Sequence, residues 1–163
     1  MEFLHWLETT DFSVWIRESS SLWAYPAVLI AHTIGLGYLV GINAAVDMRL
    51  LGLSPGLPIE PLRHFFKFIW WGFWINAISG LMLVARDPVN VVRNPAFFIK
   101  LALIAAAVTV LFRLQKAVRS SAIESGPVAS NLKVMAALSV VFWLGAITAG
   151  RLMAYVAPRP GAS

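Results

Sequence analysis

Four long runs of apolar residues, separated by short polar stretches, make up most of this chain. Each run is close to the ~20 residues that a helix needs to cross the hydrocarbon core of a bilayer. They cover residues 22–46, 62–85, 96–114 and 132–157. The runs have no polar face, which is typical of helices in lipid and not of helices on a water-exposed surface. The pattern therefore predicts four membrane-spanning helices.

The polar breaks between the runs indicate where these helices begin and end. Charged residues stop a span, and proline is tolerated in the first turn of a helix but not in its interior. On this basis we expect the spans to be bounded by Asp47, Pro61, Pro88, Pro95 and Pro158. Residues 1–20 are too polar to span. They fit short helical turns at the membrane interface, anchored by Trp6 and Trp15, or an N-terminal extension that touches only protein.

These elements predict an all-α fold: an integral membrane four-helix bundle with an N-terminal interfacial helical segment, in one domain of residues 1–163. The composition agrees with this class. Of 163 residues, 59% are hydrophobic and 13% are charged, whereas about a quarter of the residues of a soluble domain are charged. Cysteine is absent, which excludes disulfides, thiolate metal sites, iron–sulfur clusters and covalent c-type haem attachment.

The net charge of +5 is carried by basic residues scattered at span ends. Such a distribution indicates contact with the lipid bilayer and not with nucleic acid. The connections after spans 1 and 3 share one side of the membrane and hold an excess of Lys and Arg: Arg49, Arg63, Lys67, Arg113, Lys116, Arg119 and Lys133. Because such excess marks the cytoplasmic side, both termini are predicted to lie outside the cytoplasm.

Small residues recur at every fourth position in three of the spans. This spacing lets helix backbones approach closely, and it predicts three packing faces. They are Gly37/Gly41/Ala45, Gly72/Asn76/Gly80 and Ala146/Gly150/Ala154.

His32 is the residue most indicative of function, because an ionisable side chain at membrane depth is costly. Asn43 follows three helical turns later and falls on nearly the same face. We expect both side chains to point into the bundle. His32 could bind a haem or a metal, or contact a proton or a quinone; the alternative is a histidine hydrogen-bonded to a neighbouring helix for packing alone.

His32 and His64 cannot bind the same haem within one protomer. Both lie near the N-terminal ends of their spans, and the two spans begin on opposite faces of the membrane. The two histidines are therefore about 15–20 Å apart along the membrane normal at 1.5 Å per residue, and His64 is predicted to be interfacial. Met82, Met153 and His5 fall on the same side of the membrane as His32. A His/Met set suits Cu(I) or a His–Met haem, although methionine also fills gaps in helix bundles.

Lys100 and Arg151 lie in the same half of the membrane, each about one turn inside its span. They could reach the lipid headgroups, pair with Asp87, or hold an anionic group such as a haem propionate. At the opposite face, Asp47 is expected to form a structural pair with either Arg113 or Arg49. No nucleophile elbow, phosphate loop or paired intramembrane carboxylate is present, so no catalytic residue is predicted.

Several short segments resemble an uncharacterised family of small bacterial four-span membrane proteins. The first resembling segments are 32–37 and 47–52, and the others are 80–83, 94–97 with Lys100, and Gly150 with Arg151. The chain is also distantly similar to the membrane domains of CopD-like copper-resistance proteins and of small cytochrome b subunits. This resemblance implies a bacterial inner membrane location. It carries over no catalytic residue, and a second histidine at the depth of His32 is missing.

The leading hypothesis is a non-catalytic membrane subunit that holds or borders a redox cofactor, haem b or quinone, in an electron-transport complex. His32 would be the ligand, with Asn43, Lys100 and Arg151 as further cofactor contacts, and a protein partner or a second copy would supply another axial ligand. One alternative is a copper or small-solute permeation module, with His32, Met82 and Met153 as metal ligands. Another is a purely structural assembly subunit.

Overall fold

The computed structural model describes residues 2, 6, 9–18, 24–56, 58–119 and 128–156 of the chain. Helices make up almost all of this part, and it contains no strand. In chain order they are α1 (Asp11–Glu18), α2 (Ala24–Leu51), α3 (Ile59–Arg86), α4 (Pro88–Arg93), α5 (Pro95–Arg119) and α6 (Ser130–Val156). The four long helices are each long and apolar enough to cross a membrane, as the sequence predicted, and they fit an integral membrane protein.

The observed helices are longer than the predicted spans, and the C-terminal end of α2 shows the reason. The charged residues at 47–49 were expected to end the first span, yet α2 continues to Leu51. Charge is unfavourable in lipid but not in a helix, so it marks the membrane boundary and not the helix end. The helix ends at Gly52, whose φ of 84° is left-handed. Its N–H bonds to the Arg49 carbonyl while the N–H of Leu53 bonds to that of Met48, which is a Schellman cap.

The bundle consists of two helical hairpins, α2–α3 and α5–α6, which meet mainly through α2 and α6. The first hairpin has its closest approach at Gly35 and Gly72. A Cβ atom on Gly35 would lie 2.7 Å from the backbone N of Asn76, and one on Gly72 would lie 2.7 Å from that of Leu39. Since no real Cβ makes such contacts, only glycine allows this crossing.

The prediction of packing faces was right for α3 and wrong for the glycines of α2. Gly72, Asn76 and Gly80 all face α2. Gly37 and Gly41 instead are exposed, and a Cβ atom on either would meet nothing within 4 Å. A four-residue spacing identifies a possible contact face, but the partner helix selects which face is used. On α6, Ala146 is buried and Gly150 packs against Lys100, while the side chain of Ala154 lies outside the described residues.

Packing differs between the two ends of the bundle. Large apolar side chains fill the half that contains the C-terminal end of α2, and α3, α5 and α6 all contribute to this core. Its members include Leu39, Val46, Leu50, Leu62, Phe66, Ile69, Leu111, Leu114 and Val118. The half that adjoins α4 is less filled and contains a cavity.

The N-terminal helix α1 attaches to this less filled end. Ser13 is buried and its hydroxyl donates a hydrogen bond to the Ala85 carbonyl at the C-terminal end of α3. Trp6 and Trp15, the predicted interfacial anchors, are 60% and 53% exposed. The segment therefore contacts protein at Ser13 and has exposed tryptophans at positions 6 and 15.

Candidate functional site

A cavity of about 580 Å³ lies between the two hairpins in the half of the bundle next to α4. All four long helices contribute to its wall. The polar and charged side chains that line it are His32, Thr33, Asn76, Asp87, Asn90, Asn94, Lys100, Trp143 and Arg151. Its volume is within the range of about 300–1,000 Å³ that is usual for small-molecule and cofactor sites.

Helix geometry gives the depth of this cavity. At 1.5 Å per residue, His32 lies about 12 Å along α2 from its first residue. Lys100 and Arg151 lie about 7–8 Å inside the ends of α5 and α6 that adjoin α4. The sequence placed these three residues in one half of the membrane, and they do line one cavity.

A hydrogen bond between two helices orients the His32 imidazole. Its Nδ1 lies 3.0 Å from the Ser79 hydroxyl oxygen. The Ser79 hydroxyl oxygen also lies 2.6 Å from the Ile75 carbonyl and 3.2 Å from the Asn76 carbonyl of its own helix. When the hydroxyl proton is donated to one of these carbonyls, Ser79 accepts from Nδ1–H and the ring lone pair is on Nε2. This is the tautomer that a metal-ligating histidine uses when a neighbouring group fixes its other nitrogen.

Two residues of α3 position the backbone and ring of His32. The Asn76 amide donates to the His32 carbonyl at 2.9 Å, which ties the helices together at this level. Gly80 lies under the imidazole, because a Cβ atom there would be 3.2 Å from His32 Cε1. The ring thus occupies space that any larger residue at position 80 would take.

The charges at the cavity favour an anionic ligand. The half-buried Lys100 side chain lies across α6, since a Cβ atom on Gly150 would be 3.5 Å from both its Cε and its Nζ. Arg151 is more exposed. The carboxylate of Asp87 accepts from the Asn90 side-chain amide at 2.9 and 3.0 Å and caps α4. Two cations and one engaged carboxylate leave a net positive wall.

The structure separates the predicted methionine ligands. Met153 lines the cavity with His32, and its backbone carbonyl accepts from the Asn94 amide at 3.2 Å. Met82 is half-buried on α3 but is not part of the cavity wall. His5 lies outside the described residues. Among the described residues, Met153 is the partner proposed from the sequence that lines the same cavity as His32.

Asn43 belongs to a different polar cluster, about three turns further along α2. Its amide donates at 2.8 Å to Asp47 Oδ2 and at 2.8 Å to the Ser139 hydroxyl of α6. All three residues are buried. Asn43 Oδ1 and Asp47 Oδ1 have no hydrogen-bond partner within the described part of the chain. Asn43 points inward as predicted, but it does not reach the wall of the His32 cavity.

Trp143 lies between the two polar regions. It is 3% exposed, lines the cavity, and is one turn from Ser139 on α6. Its indole Nε1 is buried and finds no acceptor among the described residues. A buried indole N–H normally has a partner, so this group is a candidate donor to a bound ligand.

The remaining histidine, His64, is exposed on α3 near the opposite end of the bundle and lines a separate groove with Arg63 and Lys67. It is therefore remote from His32, as the spacing required. The described residues contain no cluster of three or more His, Cys, Asp or Glu side chains that could hold a metal ion by themselves.

No family model, curated protein or solved structure matches this chain. The resemblance to small bacterial four-span proteins stays a prediction, and the site has to be interpreted from its own chemistry.

Sequence reasoning missed Ser79, Asn94 and Trp143 as site residues. Ser79 and Asn94 are polar side chains in or beside apolar runs, which is the one signal that could have identified them. Trp143 carries no such signal, because tryptophan is common in membrane helices. Asn76 was noticed only as a member of a packing face, and its hydrogen bond to His32 could not be foreseen.

Proposed function

We propose that this protein is a non-catalytic membrane subunit that holds a redox cofactor, b-type haem, in the cavity between its two hairpins. The observation that carries the proposal is the His32–Ser79 hydrogen bond. It leaves an imidazole lone pair in a cavity of cofactor size, next to two cations. An imidazole lone pair is the commonest protein ligand of haem iron.

The other cavity residues suit the remaining parts of a haem. Lys100 and Arg151 can hold the two propionate groups through charge-assisted hydrogen bonds. Met153 lines the same cavity and would be a second iron ligand within the protomer. Without it, a second copy or another subunit would supply that ligand. When bound, the haem would supply one-electron transfer, with the electron exchanged with a partner protein's redox centre or a membrane quinol.

A quinone is the second occupant that the wall supports. A quinone has two carbonyl oxygens and needs hydrogen-bond donors. The unpartnered indole N–H of Trp143 and the ammonium of Lys100 are such donors at this wall. A quinone is uncharged, however, whereas a haem carries two propionates that two cations can hold, and for this reason haem is the preferred ligand. Copper is supported less, because only His32 and Met153 of the proposed soft ligands share the cavity.

The proposal includes a location in a bacterial inner membrane with both termini outside the cytoplasm. The support is the excess of Lys and Arg in and beside the connections between α2 and α3 and between α5 and α6. Reporter fusions after Ser163 and within residues 120–126 test it. A C-terminal reporter active only in the cytoplasm would invert the orientation.

An absorption spectrum tests the haem proposal. The protein is purified in mild detergent from cells supplied with a haem precursor, and spectra are recorded before and after dithionite. We expect a Soret band that shifts on reduction, its loss in His32→Ala, and its retention in the matched variant His64→Ala. A protein without a Soret band that co-purifies with a quinone would exclude haem and identify the quinone as the occupant of the cavity. Met153→Leu against Met82→Leu then tests the second axial position.

A further inference from the structure

A second groove lies on the surface of α3 and α5, at the end of the bundle opposite the His32 cavity. It has a volume of about 650 Å³. The part of the groove near the N-terminal end of α3 and the C-terminal end of α5 carries basic and ionisable side chains: Arg63, His64, Lys67 and Arg119. No acidic residue lines the groove. We call this the basic groove.

Hydrogen bonds between α3 and α5 hold the basic groove in shape. Arg63 Nε donates to the Val118 carbonyl at 3.1 Å, near the C-terminal end of α5. Trp70 Nε1 donates to the Gln115 side-chain carbonyl at 3.1 Å. The rings of Trp70 and Phe112 also lie in contact, with centroids 4.7 Å apart. These contacts together fix the separation of the walls. The groove is therefore part of the folded bundle and needs no ligand to form.

Further along α3, towards the middle of the helix, the same groove is lined by exposed tryptophans. Trp71 and Trp74 are 62% and 59% exposed. From Arg63 to Trp74 the helix rises about 16 Å at 1.5 Å per residue, which is close to half of a ~30 Å hydrocarbon core. A charged layer thus continues directly into an aromatic surface about one leaflet deep.

We propose that the basic groove binds one anionic phospholipid. Its phosphate contacts Lys67 and Arg119, and one acyl chain lies against Trp71 and Trp74. Charge complementarity selects an anionic headgroup, because basic pockets between transmembrane helices hold such headgroups. The tryptophan surface selects a lipid over a soluble anion, since only a lipid also supplies a chain to cover it. The groove lies at the loop end that the basic residues assign to the cytoplasmic leaflet.

Native mass spectrometry of lipid adducts provides the test. The purified full-length protein is equilibrated with mixed micelles that contain equal amounts of phosphatidylglycerol and phosphatidylcholine. We expect a phosphatidylglycerol adduct in excess over phosphatidylcholine. Lys67→Gln and Arg119→Gln should each reduce that excess about fivefold, which is the effect of one basic residue near an anionic headgroup.

Lys116→Gln is the matched control. Lys116 is exposed on α5, one turn from Arg119, but does not line the groove. It should leave the excess unchanged, and Trp71→Ala should shorten adduct survival on collisional activation while the preference for phosphatidylglycerol remains. Equal binding of the two lipids, or an equal loss in Lys116→Gln, would overturn the proposal, because either result indicates no local headgroup site. Displacement of the adduct by inorganic phosphate would overturn it in favour of a soluble-anion site.

Discussion

The His32 imidazole and the Ser79 hydroxyl lie 3.0 Å apart and join α2 to α3 within the apolar interior. The bond lies about one turn along α2 from Gly35, where the two backbones touch. Because the crossing fixes both helices there, the imidazole is held by a rigid frame and not by a loop. A ligand held by the other ring nitrogen would meet a preorganised group.

Removal of the Ser79 hydroxyl should weaken haem binding without unfolding the protein. Ser79→Ala leaves Nδ1–H without its acceptor, and outer-shell partners of this kind contribute about 10–100-fold in affinity for the metal centre. Haemin titration followed at the Soret band measures the change. Ser79→Thr retains a hydroxyl and should restore most of the affinity. If Ser79→Ala bound haemin like the wild type, the hydrogen bond would have no orienting role.

Adding a methyl group at Gly80 should displace the imidazole. The new Cβ would lie 3.2 Å from His32 Cε1, which is tighter than an ordinary contact. Overpacking of this kind costs about 1–3 kcal/mol. We therefore expect Gly80→Ala to lower haemin affinity on the order of tenfold. Gly41→Ala, at a glycine with nothing within 4 Å of its Cβ position, is the control and should bind normally.

The crossing of α2 and α3 should not tolerate alanine at Gly35. Its Cβ would lie 2.7 Å from the backbone N of Asn76, and backbone atoms cannot move aside without separating the helices. We expect Gly35→Ala to reduce the free energy of unfolding by about 1–3 kcal/mol or more. Gly37→Ala should instead raise it by up to about 1 kcal/mol through helix propensity. Thermal unfolding in detergent, followed by circular dichroism, distinguishes them; equal melting temperatures would contradict the observed crossing.

The effects of substituting Asn43 and Asp47 on the free energy of unfolding should be coupled. Asn43→Leu removes the amide that bonds to the buried Asp47 carboxylate, and an orphaned buried polar group costs about 1–3 kcal/mol, more if it is charged. The double variant Asn43→Leu/Asp47→Leu replaces both partners and should recover much of the loss. Unfolding free energies of the two single variants and the double variant give the coupling. Strict additivity would indicate that the two side chains act independently.

The fold was predictable from the sequence because its strongest signals, apolar length and polar breaks, are set by the bilayer. The depth of His32, Lys100 and Arg151 followed from counting residues, which works since a helix rises by a constant amount per residue. The Gly37/Gly41 face was mispredicted because spacing gives no rotation angle. The short helix α4 was missed: it has only six residues, and its cap depends on the Asp87–Asn90 bonds.

The composition of the cavity wall could not be predicted for a similar reason. Asn43 and His32 lie on nearly the same face of α2, but they contact different helices. Asn43 bonds to Ser139 of α6, and His32 bonds to Ser79 of α3. Which partner each side chain meets depends on how α2 is rotated against α3 and α6. The close approach of Gly35 and Gly72 fixes the rotation against α3, and these two residues are far apart in the sequence.

Chemical rescue of the His32→Gly variant tests the central claim most directly. The variant removes the imidazole and leaves a space that free imidazole can fill. We predict that the purified variant gives no Soret shift with haemin alone and regains the wild-type spectrum when imidazole is added, while His64→Gly needs no imidazole. A His32→Gly protein that binds haemin as the wild type does without added imidazole would contradict His32 as the haem ligand.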